Sequence, residues 1–362
     1  MGQQSYGPTA SASIGNAPLP GSGGVSGAAR VTDHGGGLSG AEARFGRPRD
    51  GWIDLSTGIN PWPYPVPPLT AEAWNRLPDR AAHDKLIAAA AGYFGADPTT
   101  LVAAPGSQAL IQAVPRLVPP GRVAILGFTY AEHARCWSLA GHHVTIADTL
   151  ADAAAAADCV IVTNPNNPDG RRSTPADLLE LAGVLAGRGG SLVVDEAFAD
   201  VAPELSVAGT AGRPGLRVLR SFGKFFGLAG LRLGFALGDR DLMARLEDHL
   251  GPWAVAGPAL EIGAAAMADR AWIATTRDRL AAAATSLDDI LSAHGLGVVG
   301  GTDLYRLIET PGAAALFEHL GRHGILVRPF QSKPGWLRFG LPPDAVAVER
   351  LREALASFIL PP

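Results

Sequence analysis

Cysteine is nearly absent from this chain: Cys136 and Cys159 are the only two in 362 residues. No disulfide framework and no metal-ligand spacing follows from them, which suits a reducing cytosol. Long apolar runs are missing too, and none approaches the roughly 20 residues that a membrane span requires. Neither sign of charge dominates. Thirty Lys and Arg against 34 Asp and Glu leave a net charge of −4, so there is no basic footprint for nucleic acid. Residues 1–30 lack an apolar stretch behind a basic start, which argues against a signal peptide. Rich in Gly, Ala, Ser and Pro, they read as a disordered tail. These absences leave a cytoplasmic protein whose partners are small molecules rather than nucleic acid or membrane.

What is present is material for a core. Apolar residues make up 47% and charged residues 18%, enough for a large domain and a smaller companion. Short continuous apolar runs occur at Val123–Leu126, Val144–Ile146, Val160–Thr163 and Leu192–Val194. Such runs suit strands buried on both faces. Helical segments at Ala131–Ala140, Leu150–Ala157 and Pro175–Ala186 separate them, and strands are expected again at Arg217–Leu219 and Arg232–Leu237. This rhythm predicts an α/β fold with an open, mostly parallel sheet covered by helices. The last third mixes helices from about Ala259 to His294 and from Asp344 with strands near Leu304–Ile308, Ile325–Arg328 and Trp336–Phe339. It reads as a second, α+β domain, completed by an N-terminal segment with a short strand at Trp52–Leu55.

Five constellations carry chemistry. In Ser221-Phe222-Gly223-Lys224-Phe225-Phe226-Gly227 a lysine sits in glycine-rich, apolar company. Partial desolvation depresses an amine's pKa, as Schiff-base chemistry needs, although a snorkelling surface lysine fits the same residues. Asp195 ends the run Ser191–Val194, at the edge where ligands meet open α/β sheets; it suits a pyridinium partner or a cap of the next turn. Pro105-Gly106-Ser107-Gln108 opens a helix and offers N–H groups to a phosphate, or serves as an ordinary cap. Asn164-Pro165-Asn166-Asn167-Pro168-Asp169-Gly170 is a turn by composition, yet its amides are placed to donate to a ligand. Arg338 alternates with Leu337 and Phe339 and offers a fork for a carboxylate, or a solvated strand side chain.

Taken in order, these segments resemble the fold-type I pyridoxal-phosphate (PLP) enzymes of the aspartate-aminotransferase superfamily over about residues 31–360. The resemblance implies that fold, a homodimer with sites at the subunit interface, and a role for each matching position. Lys224 matches the Schiff-base lysine and catalytic residue. Asp195 matches the partner of the pyridine nitrogen, Asn167 the donor to the ring hydroxyl oxygen, and Tyr130 the aromatic on the ring face. Ser107, Gln108, Ser221 and Arg232 match the phosphate cup, and Arg338 the α-carboxylate clamp. It also implies a large PLP-binding domain over 79–256 and a small domain built from 31–78 and 257–362. Two positions depart from the pattern. Phe198 stands where relatives carry Tyr, and Arg76-Leu77-Pro78 where many carry a Tyr that reaches the neighbouring subunit.

Within the superfamily the chain is similar to the histidinol-phosphate aminotransferase branch. More narrowly it is similar to the L-threonine-O-3-phosphate decarboxylases of cobalamin biosynthesis, on Asp33-His34-Gly35-Gly36 and on Trp52 to Pro65. That resemblance implies decarboxylation of L-threonine O-3-phosphate to (R)-1-amino-2-propanol O-2-phosphate. It places His34, Gly35 and Arg328 near the substrate phosphate, and Asn60 and Thr57 close to the substrate, beside Asn167 and Arg338. A histidinol-phosphate or related aminotransferase is the alternative, because the core residues serve both reactions.

Overall fold

The computed structural model describes residues 35–359. Its strands, in chain order, are β1 (Ile53–Asp54), β2 (Leu101–Ala104), β3 (Arg122–Leu126), β4 (His143–Ala147), β5 (Cys159–Thr163), β6 (Ser191–Asp195), β7 (Leu216–Ser221), β8 (Gly234–Leu237), β9 (Val298–Thr302), β10 (Tyr305–Glu309), β11 (Ile325–Leu326), β12 (Arg328–Phe330) and β13 (Lys333–Gly340). Seven of them form one sheet in the order β2-β8-β7-β6-β5-β3-β4. All neighbours are parallel except that β8 runs against both β2 and β7.

The strand residues explain the layering. Val160, Val162, Leu192, Val194 and Val218 belong to one apolar cluster. Their alternates Cys159, Ile161, Val193 and Leu219 belong to a second one on the other side. Side chains alternate across a strand, so each run must be apolar throughout to satisfy two cores. Helices close both. Pro175–Ala186 starts where expected because Thr174 and Asp177 form a capping box and Pro175 occupies the first turn.

The strand order reverses between β3 and β5. The chain steps outward to β4, returns past β3 to β5, and then runs on to β6 and β7. The loops after β3 and β5 therefore part at a switch point, where open α/β sheets hold ligands.

A four-stranded antiparallel sheet, β12-β13-β10-β9, forms the smaller layer. β1 pairs in parallel with β11, and Gly340 donates its N–H to the Leu55 carbonyl. Helix Gly257–Ala268 packs along helix Arg80–Phe94. The first helix after the division expected at residue 257 thus packs on a helix of the segment before it. The expected strand at Arg232–Leu237 begins instead at Gly234, because Arg232 adopts the left-handed conformation with φ 54°.

The two layers meet backbone on backbone. Gly301 donates its N–H to the Asp169 carbonyl at 3.0 Å. A Cβ at Gly300 would lie 2.0 Å from the Asp169 carbonyl oxygen, and one at Gly170 would lie 1.9 Å from that of Gly301. The small sheet therefore rests directly on the turn that carries Asn167. Among the described residues, no helix is long and apolar enough to cross a membrane.

Candidate active site

A cavity of about 220 Å³ opens at the carboxyl ends of the parallel strands. Strand ends supply its wall. Ser107 follows β2, Tyr130 follows β3, Asn167 follows β5, Asp195 ends β6, and Ser221 ends β7 with Lys224 one turn later. Arg328 and Arg338 reach it from the small sheet, and Gly35, Thr57, Gln108, Phe198 and Arg232 complete it. Residues spread over three hundred positions of sequence thus converge on one volume.

Lys224 opens onto the cavity and is otherwise enclosed by protein. Burial is the main reason its amine is pushed down to about 8, and the positive charge of Arg338 adds to the effect. Its Nζ lies 5.9 Å from the centre of the Phe198 ring. Asp195 is almost fully buried. One of its oxygens accepts from the Ala197 N–H at 3.1 Å, and the other lies 2.8 Å from His133 Nε2. His133, itself buried, thus fixes the carboxylate from behind. The sequence reading did not single it out, although it stands three residues after Tyr130, the spacing that puts two helical side chains on one face.

Arg338 is buried and donates to Asn167 Oδ1 and to the Ser56 carbonyl. The first bond leaves the Asn167 NH₂ group as its ligand-facing donor. Arg338 Nε is buried without a hydrogen-bond partner among the described residues. Burial, and then the like charge of Arg328, push this guanidinium down to about 10. Arg328 stands directly opposite Arg338 in the β12–β13 pairing. A buried cation in such company calls for an anion.

On the far side, a Cβ at Gly106 would sit 2.7 Å from the Arg232 guanidinium. Glycine at 106, with φ 85°, therefore lets that charge approach the start of helix Ser107–Ala113. Arg232 itself holds a left-handed backbone uncommon for a side-chain-bearing residue, a strain typical of functional sites. Ser107, Ser221, Arg232 and the glycine together form a cationic, N–H-rich cradle suited to a phosphate. The cavity thus fits PLP by its donor set: an amine with depressed pKa, a buried carboxylate, an aromatic ring, and an anion cradle.

One expected position falls elsewhere. Asn60 is buried behind the cavity rather than lining it. Its NH₂ donates to the Phe225 carbonyl at 2.8 Å, its oxygen accepts from the Trp62 N–H, and its backbone N–H donates to the Lys224 carbonyl. It holds the Lys224 turn rather than facing a ligand. His34 lies outside the described residues. Its neighbour Gly35 is closely packed, since a Cβ there would lie 2.3 Å from the Ser56 carbonyl oxygen. Phe198 packs edge-to-face on Tyr305, with ring centres 5.0 Å apart. Leu77 is exposed.

Comparison with known proteins agrees with this geometry. Residues 68–355 match the family model for aminotransferase class I and II. A threonine-phosphate decarboxylase of Pseudomonas aeruginosa is 47% identical over 330 residues, covering 91% of this chain and 98% of that protein. Another from Sinorhizobium sp is 50% identical over 331 residues, covering 89% and 97%. In fold, the chain is similar to histidinol-phosphate aminotransferase from Sinorhizobium meliloti, solved in complex with pyridoxal-5'-phosphate. That match has TM-score 0.76 and 21% identity and covers 88% of this chain and 94% of that one. With its match to the family model and its near-half identity to both decarboxylases, the chain belongs to the threonine-phosphate decarboxylase branch of the class I and II aminotransferase family.

Proposed function

We infer that this chain is a PLP-dependent lyase that decarboxylates L-threonine O-3-phosphate. The products are CO₂ and (R)-1-amino-2-propanol O-2-phosphate, a step of cobalamin biosynthesis. The observation that carries the reading is the pair Arg328 and Arg338, placed opposite each other on adjacent strands and lining the cavity that holds Lys224. A substrate with two anionic groups, a carboxylate and a phosphate, matches two guanidinium groups.

When bound, PLP supplies a ring that accepts electrons from the substrate Cα. The residues of this chain do the rest. Ser107, Ser221, Arg232 and the backbone of Gln108 hold its phosphate. Asp195, set by His133, would face the ring nitrogen. Tyr130 would cover the ring face, and Asn167 would donate to the ring oxygen. Arg338 takes the substrate carboxylate, and Arg328, with Gly35 and His34 at the N-terminal segment, takes the substrate phosphate. How those two anions are held decides which Cα bond is presented for cleavage. Loss of CO₂ leaves a carbon that must gain one proton, and Lys224 Nζ, pushed down to about 8, delivers it near neutral pH. The protein works in the cytoplasm as a homodimer, with Leu77 near the partner subunit.

The test is incubation of the purified PLP-loaded protein with L-threonine O-3-phosphate. CO₂ release and the amino-alcohol phosphate are expected without any 2-oxo acid. Absence of CO₂, with a product that forms only when a 2-oxo acid is supplied, would instead indicate the aminotransferase reaction.

A further inference from the structure

Behind the cavity wall runs a one-way chain of hydrogen bonds that none of the roles above uses. The Tyr130 hydroxyl donates to Gln108 Oε1 at 3.1 Å. Gln108 Nε2 donates to Glu132 Oε2, also at 3.1 Å. The same Glu132 oxygen accepts from Arg135 at 3.2 Å. Glu132 is almost fully buried, whereas the Arg135 side chain is largely exposed.

Direction is forced by chemistry. An ionised carboxylate only accepts, so Gln108 must turn its NH₂ toward Glu132. Its carbonyl oxygen is then left for Tyr130, whose hydroxyl must donate. Each member dictates the orientation of the next, and the sequence ends at the ring of Tyr130 in the cavity. The side chain of Gln108 is therefore committed at both ends. What it offers a phosphate is its backbone N–H, so its expected place in the phosphate cup falls to the main chain.

We propose that Gln108 and Glu132 are positioning residues that tether the Tyr130 ring in the plane where it covers the cofactor. The proposal rests on PLP occupying this cavity. Glutamine suits position 108 because a carboxylate there would face Glu132, whereas an amide presents a donor to one neighbour and an acceptor to the other. A tethered ring has fewer orientations to lose when a ligand stacks on it, so the tether acts as pre-organisation.

A double-mutant cycle tests it, read as the PLP dissociation constant of the cofactor-free protein. Tyr130→Phe keeps the ring and removes the tether, and Gln108→Ala removes the middle link. Each weakens PLP binding about fivefold, the worth of one net hydrogen bond. The double variant is no weaker than either single one, because both break the same chain. Glu132→Ala, which removes the acceptor for Gln108, falls with the others. Losses that multiply in the double variant, or single variants with wild-type affinity, overturn the tether and leave the functional reading standing. So do affinity losses that merely follow a lowered thermal midpoint of the cofactor-free protein. Failure of the wild type to bind PLP at all overturns both.

Discussion

The most telling perturbation is pH acting on Lys224. Burial, reinforced by Arg338 and opposed by Asp195, lowers its amine from the ordinary 10.5 to about 8. At pH 7 a group titrating at about 8 is about 10% neutral, whereas an ordinary lysine is about 0.03% neutral, a gain of about 300-fold in reactive amine. Cofactor-free protein mixed with PLP reads this directly, by the rate at which the visible absorbance of the lysine linkage appears. The rate is expected to rise about tenfold per pH unit up to about pH 8 and then level off. Stability carries the same signature. Below about pH 8 the amine is protonated in the folded and unfolded chain alike, and folding bears the full cost of the buried charge. Between about 8 and 10.5 the unfolded chain binds the extra proton, so the cofactor-free protein gains stability as pH rises, by about 3 kcal/mol in all. Above that window the contribution is constant. Arg338→Met removes a cation that disfavours the ammonium and moves the uptake midpoint above that of the wild type. An uptake rate that keeps climbing tenfold per unit to pH 10, or a midpoint unmoved by Arg338→Met, would refute the reasoning.

Three further outcomes are expected. His133→Phe strips Asp195 of its charge-assisted partner and lowers kcat about tenfold or more with a small change in thermal midpoint; a kcat within twofold of wild type would remove His133 from the site. Arg220, buried on β7, pairs with both Glu196 and Asp200, so Arg220→Met leaves two buried carboxylates without their cation. Urea unfolding of the cofactor-free protein should then show a loss of about 3–5 kcal/mol, and a loss under about 1 would contradict it. Gly301 has φ 143°, and a Cβ there would meet the Tyr305 carbonyl oxygen at 2.4 Å. Gly301→Ala is expected to cost about 2 kcal/mol in thermal unfolding, in the range of strained-backbone substitutions.

The inner strands of the large sheet were legible because both of their faces are buried; the apolar run Val144–Ile146, expected to be buried in the same way, is instead the largely exposed edge strand β4, with Ile146 60% exposed. A strand that must satisfy two cores has little choice but a continuous apolar run, and β3, β5 and β6 each show one. β2, Leu101–Ala104, escaped because two of its four residues are alanine and carry little strand preference. β9 escaped because Gly300 and Gly301 break its pattern; Gly300 is there for the close approach of the Asp169 backbone, and Gly301 for its positive φ beside the Tyr305 carbonyl. Helix Arg240–Leu250 was unassigned although Asp239 caps it and Leu242, Met243 and Leu246 form its buried stripe. The ion pairs of Arg220 were equally readable in principle: an arginine at the end of a buried strand demands a carboxylate, and Glu196 follows the residue that pairs with Leu219. What no single segment showed was commitment. The resemblance placed Asn60 and Gln108 at a ligand, but their side chains are engaged by hydrogen bonds to Phe225 and Trp62 and to Tyr130 and Glu132.

The same distinction separates the residues proposed to hold the cofactor from those proposed to select the reaction. Lys224, Asp195 and Asn167 sit at strand ends, so sequence order along the sheet nearly suffices to gather them. Arg328 and Arg338 meet only through the register of the β12–β13 hairpin, which also contains an irregularity between Pro329 and Phe330. Cations directly opposite on adjacent strands repel one another, and burial has pushed Arg338 down to about 10. That arrangement opposes folding in the absence of anions and favours binding in their presence. A substrate with one carboxylate relieves only part of the repulsion, and one that also carries a phosphate relieves more. Removal of the substrate phosphate should therefore weaken binding in the wild type far more than in Arg328→Gln, because the variant has already lost the charge that the phosphate answers.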